Sequence, residues 1–244
     1  MTAAPPRPTA LVTGSARRVG RVIAEALVAS GYDVVVHARD ADAAARAAGE
    51  LGAFTSFGAD LADADQVARL ASEVAAAVGS RGLDLLVNAA ASFERVERWG
   101  DADVAGWARA MDVNARAPYL LTAALLPALR LTRGAVVNVS DIAAHEHWPT
   151  YPVHAASKAA LESLTRSGAR ACAKAADGVR MHAIAPGSIL PPDDWSAERT
   201  AQEDAAGRLS TPAPLVALII ELAADRSRNG EVIRLDRMPP TTDS

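Results

Sequence analysis

The chain has 244 residues, half of them hydrophobic and many of those alanine, and its 22% charged residues balance to −4. That composition buries a sizeable core and excludes a disordered chain, while a pI near 5.7 and 4% aromatics offer neither a basic field nor a stacking platform for nucleic acid. The single cysteine, Cys172, excludes an internal disulfide, and no apolar run reaches the roughly 18 residues of a membrane span. Residues 1–8 hold three prolines and no apolar stretch of a signal peptide, so a short loose tail on a cytoplasmic protein is expected.

The elements alternate from the start. Ala10-Leu11-Val12 is a strand ending at Thr13-Gly14. A helix is predicted over 21–30, with Val22, Ile23, Ala26 and Leu27 on one face and Gly31 as its stop. A β-branched strand over 33–36 follows, then an alanine-rich helix over 42–51, a strand over 53–58 and a helix over 65–78. Next come a strand over 83–87, one long helix over 104–131 with Pro118 inside it, a strand over 135–139 and a helix over 153–175. A strand over 179–184 leads into the proline-rich stretch 186–192 and weaker helical segments, then a helix over 215–224 and a last strand over 231–235. Alternation of this kind requires crossover connections. It predicts one doubly wound Rossmann-type α/β domain over residues 9–237 with a mainly parallel seven-stranded sheet. Residues 188–210 are expected to form a substrate lid and 238–244 a C-terminal tail.

The first strand runs into Thr13-Gly14-Ser15-Ala16-Arg17-Arg18-Val19-Gly20 and then a helix. Gly14 permits a tight turn, Gly20 lets the helix approach the sheet, and the helix N-terminus presents free N–H groups to a pyrophosphate. The full G-x-G-x-x-G is absent, so an ordinary strand-to-helix turn is the competing reading of this segment alone.

The loop resembles that of the short-chain dehydrogenase/reductase family, T-G-x-x-x-G-x-G, with Arg18 in place of the central glycine. T-G-x-x-[KR]-R-x-G is similar to the pteridine reductase branch, which implies that Arg18 reaches the pyrophosphate and the substrate. Further matches span nearly the whole chain. The resemblance places Asp60-Leu61 at the adenine, and Asn88-Ala89-Ala90-Ala91 where the family has N-N-A-G. It assigns Asn114 to a water relay beside the catalytic lysine, and Pro186-Gly187 to the nicotinamide side. An NAD enzyme carries Asp or Glu at the end of the second strand. This chain has His37-Ala38-Arg39 there, with Arg17 in the adjacent loop, and basic residues favour a 2′-phosphate. NADP(H) is therefore the expected cofactor, with His37 and Arg39 counted among its contacts and Asp40 as a counter-signal.

The family signature, a serine and then Y-x-x-x-K, is altered. Lys158 is in place, but His154 stands four residues before it, where the resemblance expects the catalytic tyrosine. Residues i and i+4 share a helix face, so His154 and Lys158 point the same way. Asp141 stands thirteen residues before His154, at the family's serine position. An aspartate there again resembles the pteridine reductase branch, and Phe93 matches that branch's stacking aromatic. A lysine ammonium beside an imidazole favours the neutral ring and a carboxylate favours imidazolium, so an Asp141–His154 pair can serve as proton donor. Tyr151, at i−3 from His154, is read as pocket lining. His145-Glu146-His147 lacks a third ligand at helical spacing and predicts no metal, and Cys172 is read as packing. The final strand lacks the family's D-G-G, which bears on subunit contacts near the site.

These features predict an NADPH-dependent reductase that passes hydride to a C=N bond of a pterin-like or cyclic imine substrate. The resemblance implies a homo-oligomer, a tetramer, acting on a small molecule, without nucleic acid or membrane. The residues leave open a non-catalytic NADP-binding protein, a carbonyl reductase, and a redox-neutral enzyme with His154 as acid/base.

Overall fold

A computed structural model describes residues 6–93, 103–146, 150–191, 196–205 and 209–235. Seven strands form one sheet: β1 (Thr9–Val12), β2 (Asp33–Ala38), β3 (Thr55–Gly58), β4 (Leu85–Asn88), β5 (Ala135–Val139), β6 (Arg180–Pro186) and β7 (Val232–Leu235). Their order is β3-β2-β1-β4-β5-β6-β7, and every pairing is parallel rather than mainly so. The order in which strands are added reverses between β1 and β4, the first three running outward to one edge and the rest to the other. A crevice opens there beyond the carboxyl ends of the strands.

Strand alternation divides the core in two. Leu11, Val35, Leu86, Val136 and Met181 pack on one face, against α3 (Ala64–Val78), α5 (Ala117–Thr132) and α7 (Pro152–Ala175). Ala10, Val12, Val34, Val36, Val87, Val137 and Ile184 pack on the other, against α1 (Arg18–Ala29), α2 (Ala41–Leu51) and α9 (Ala213–Ala224). Successive residues point to opposite faces, so both faces must be covered, and apolar residues on the strands supply both. A polar ladder crosses the first layer. Asn88 Nδ2 donates to Asn138 Oδ1 at 2.8 Å, and Asn138 Nδ2 donates to Thr165 Oγ1 at 2.8 Å. It fixes α7 against β4 and β5.

The expected long helix over 104–131 is two helices. α4 (Val104–Met111) and α5 are joined by a π-helical turn over Asp112–Arg116. Pro118 causes the change: it has no N–H for the carbonyl four residues back and sits in the first turn of α5. The widened turn carries Asn114, whose side chain is fully buried. A four-residue α6 (Ala143–Glu146), in a stretch read as loop, follows β5, and α8 (Ala197–Ala205) lies within the expected lid. Ser210 N–H closes the base of that segment on the Ser188 carbonyl at 2.8 Å. Arg7, in the expected tail, donates to the Gly31 carbonyl at 2.9 Å. The C-terminal segment 238–244 lies outside the described residues.

Candidate active site

The glycine loop after β1 is a cradle. A Cβ on Gly14 would lie 2.9 Å from Ala90 Cα, and one on Gly20 would lie 2.3 Å from the Gly14 carbonyl oxygen. Thr13 Oγ1 accepts from the Ala89 and Ala90 N–H groups at 3.0 and 3.1 Å, so the loops after β1 and β4 are stitched together. α2, α3 and α4 are capped by Asp40, Asp63 and Asp103, whereas no side chain caps α1 and no acidic residue lies in its first turn. The first-turn amides of α1 are left without a side-chain acceptor, as an anion-binding helix terminus requires.

Arg18 occupies the left-handed region at φ 52°, where the matched loop has glycine. A side chain there costs about 1–2 kcal/mol. Its guanidinium donates to the Pro191 carbonyl at 3.0 Å, clasping the start of the lid segment. Arg17 and Arg39 are both exposed and follow β1 and β2 at the same end of the sheet, with no side-chain hydrogen bond or ion pair to either among the described residues. Asp40, the counter-signal beside Arg39, caps α2, its Oδ1 accepting from the Ala43 N–H at 2.8 Å.

His37 lies elsewhere than expected. It is 1% exposed, its Nδ1 accepts from the Gly14 N–H at 3.1 Å, and its Nε2 donates to the Ala59 carbonyl at 3.0 Å. Both nitrogens are used within the fold, so His37 acts on the crevice through the glycine loop and not as a surface ligand. Burial pushes its pKa down to about 4. Asp60 is likewise engaged, accepting from Ala62 N–H at 3.0 Å and facing Arg109 at 3.6 Å, while Leu61 is buried in the core. Pro186 ends β6 and accepts from the Ile142 N–H at 3.1 Å, and Gly187 lies against Ile142.

Asn114, Asp141, His154, Lys158, Phe93 and Tyr151 converge at the carboxyl ends of β4 and β5. His154 is 1% exposed. Its Nε2 lies 3.3 Å from Asp141 Oδ2, and its Nδ1 lies 3.3 Å from the Ser92 carbonyl oxygen. Both partners accept, so only a ring with a proton on each nitrogen donates to both. Asn114 Oδ1 accepts from Ser92 N–H at 2.7 Å, and its Nδ2 donates to Ser92 O and Ser157 Oγ at 2.8 and 2.9 Å. Phe93 closes the mouth, its ring 4.2 Å from that of His154 and 4.4 Å from that of Tyr151. Lys158 is 3% exposed and donates to the Val139 carbonyl at 2.7 Å. Burial pushes its pKa down to about 8, against the charges of Asp141 and Glu162, which raise it.

Several site residues escape the sequence reading. Ser92 and Ser157 orient Asn114 and His154, and buried Glu162 ties to Ser140 and His145. The signal for Glu162 is its place four residues after Lys158 on one helix. Among the described residues no group of three potential ligands could hold a metal, and His147 lies outside them. Cys172 is buried, and burial chiefly raises its thiol pKa, as suits packing. No described helix is long and apolar enough to cross a membrane.

A sequence model described as short chain dehydrogenase matches residues 8–203. A rhamnolipid-biosynthesis 3-oxoacyl-[acyl-carrier-protein] reductase from Pseudomonas aeruginosa is 32% identical, over 93% of this chain and 94% of that protein. A cis-4-hydroxycyclohexanecarboxylate dehydrogenase from Sinomonas cyclohexanicum is 34% identical, over 88% and 89%. Among solved structures, the Pseudomonas aeruginosa RhlG/NADP complex superposes with a TM-score of 0.83 at 29% identity, over 94% of each chain. L-sorbose reductase from Gluconobacter frateurii, complexed with NADPH and L-sorbose, gives 0.85 at 25% identity, over 95% of each. With the glycine cradle, the reversal between β1 and β4, and Lys158 on the helix after β5, these matches place the chain in the short-chain dehydrogenase family of oxidoreductases.

Proposed function

We propose that this protein is an NADPH-dependent reductase acting on a C=N bond of a flat, pterin-like or cyclic imine substrate. The cofactor assignment is supported by the uncapped α1 terminus, by the cradle at Gly14 and Gly20, and by the unpaired Arg17 and Arg39 beside it. Those two arginines hold the 2′-phosphate by charge-assisted hydrogen bonds. The α1 amides and Arg18 hold the pyrophosphate. The backbone at Asp60-Leu61, with Asn88, Ala89 and Ala90, lines the adenosine side, Pro186 and Gly187 the nicotinamide side, and Lys158 the ribose. When bound, NADPH supplies the hydride.

The observation that carries the reading is the His154 ring set between two acceptors, Asp141 and the Ser92 carbonyl. That setting holds a transferable proton at Nε2, and Asp141 balances its charge. Proton donation from a positioned group is worth about 10²–10⁴-fold. An imine nitrogen is far more basic than a ketone oxygen, so it draws a proton from imidazolium more readily. Asn114 keeps the Ser92 carbonyl aimed at the ring, and Phe93 and Tyr151 give a flat substrate an aromatic wall. The relatives favour a second reading, carbonyl reduction, since one is a 3-oxoacyl-[acyl-carrier-protein] reductase by name and a solved neighbour is an L-sorbose reductase. The protein works as a cytoplasmic homotetramer in this proposal, and sedimentation velocity tests the assembly.

The test is NADPH oxidation with 7,8-dihydrobiopterin, a neutral cyclic imine and a 3-oxoacyl thioester. Turnover of the first two and not the third is expected. Turnover of the thioester alone refutes the C=N assignment in favour of carbonyl reduction. Tight NADPH binding with no oxidation on any substrate refutes the enzyme reading altogether.

A further inference from the structure

Glu162 is a carboxylate in the interior of α7, 3% exposed, and the hydride-transfer chemistry above makes no use of it. Burying a carboxylate is costly unless it is hydrogen-bonded or paired. Its Oε1 accepts from Ser140 Oγ at 2.7 Å and faces His145 Nε2 at 3.1 Å. Those two partners bracket Asp141 in the chain: Ser140 precedes it and His145 follows it on α6. Asp141 is thereby held on both flanks, with its Oδ1 accepting from Ala143 N–H at 2.8 Å and its Oδ2 left toward His154. On its own helix, Glu162 lies one turn from Lys158, on the same face.

We propose that Glu162 is a positioning residue of this site: one buried carboxylate fixes both flanks of Asp141 through Ser140 and His145 and supplies the second negative charge that faces Lys158. The inference rests on the reading that Lys158 holds the cofactor. The charged groups set against Lys158 are Asp141, from the loop after β5, and Glu162. Those set against Glu162 are His145, from α6, and Lys158, and His154 joins the same set through Asp141. A lysine stripped of water loses its proton easily, and the Glu162 charge opposes that loss. His145, about one quarter exposed at its side chain, forms the solvent-facing end of the network.

The two roles separate by substitution. E162Q keeps an acceptor oxygen for Ser140 and His145 but removes the charge, whereas S140A removes one anchor and keeps the charge. NADPH affinity is titrated by cofactor fluorescence from pH 7 to 10 in wild type, E162Q, S140A and K158M, a range above the second ionisation of a phosphate monoester near pH 6. Wild-type affinity falls as pH rises through about 8, where Lys158 loses its charge. In E162Q the fall is expected about one pH unit earlier, with the same affinity on the acid side. S140A keeps the wild-type midpoint but exchanges the Ala143–Glu146 amides about ten-fold faster, while E162Q leaves that exchange unchanged. K158M binds weakly with no dependence on pH in this range. An E162Q profile that overlays wild type, beside an altered K158M, overturns the inference and leaves the Lys158 reading standing. A K158M protein that binds NADPH as wild type does overturns the Lys158 reading and the inference with it. Unchanged amide exchange in S140A refutes the anchoring of Asp141.

Discussion

Lowering the pH from 7 to 5 should destabilise this protein through His37. The ring accepts from the Gly14 N–H on Nδ1 and donates to the Ala59 carbonyl on Nε2. Protonation would put an N–H on Nδ1, facing the Gly14 N–H donor to donor, inside a site with almost no access to water. Burial chiefly holds the folded-state pKa at about 4, against 6.5 for the free group. In the window between these values the unfolded chain binds the proton and the native chain does not. Stability is therefore flat above pH 6.5, falls as pH drops toward 4, and levels off below. The loss is about 1.4 kcal/mol per pH unit and about 3 kcal/mol in all. His182 on β6 is fully buried, and burial chiefly pushes its pKa down to about 4 as well, so it adds a similar slope. Carboxylates contribute mainly below pH 5, which leaves 5 to 6.5 to the histidines. Urea unfolding followed by circular dichroism at half-unit steps measures the slope. H37Q offers one acceptor and one donor without titrating, so it should remove about half of the slope between pH 5 and 6.5. A wild-type slope retained in H37Q would refute the assignment.

Gly20→Ala places a methyl against the Gly14 carbonyl, so α1 must withdraw. Thermal unfolding should show a loss of about 1–3 kcal/mol, and fluorescence titration should show NADPH affinity down by more than about 10-fold. Arg39→Ala removes a charge-assisted phosphate contact; NADPH affinity should fall roughly 10- to 100-fold with NADH affinity unchanged, and equal wild-type affinities for the two cofactors would contradict the assignment. Arg18→Gly relieves the left-handed backbone and should stabilise the chain by about 1 kcal/mol, while loss of the clasp on Pro191 should raise KM for substrate.

Periodicity carried much of the fold. Strand alternation announced a sheet covered on both faces, and Gly14 and Gly20 marked the loop where Cβ atoms cannot fit. The break at Asp112–Arg116 went unread, although Pro118, which forces it, lay in view. His37 could be assigned to a strand end, but its ring faces Gly14 across β1, and no local pattern reports a contact over 23 residues. Asp141, His154 and Lys158 were singled out through the family resemblance, and the structure brings them together because two share a face of α7 and the third lies in the loop after β5. Glu162 shares that face too. Its partners come from β5 and α6, so its role depends on how those elements pack, which spacing does not encode.

In the proposed site the resemblance sets Asp141 and His154 at two hydroxyl positions of the family signature, and the hydrogen bonds tie the two side chains together. The Ser92 carbonyl takes the proton on Nδ1 of His154, so a second proton on Nε2 needs an acceptor of its own, and Asp141 Oδ2 is that acceptor. With a serine at 141 the ring would lose the carboxylate that accepts from Nε2 and balances its charge. A phenol in place of the ring, by contrast, carries its own acidic proton and depends less on Asp141. The two substitutions should therefore be strongly non-additive. D141S in the wild-type background should cost about 10²–10³-fold in kcat on a neutral imine. In the H154Y background the same change should cost less than about 10-fold, a coupling on the order of 1–3 kcal/mol between residues in direct contact. A preformed iminium, which needs hydride but no proton, serves as control and should respond little to either change. Equal costs of D141S in both backgrounds would mean that the two side chains act independently, and the carboxylate–imidazole pair would then not be the proton donor.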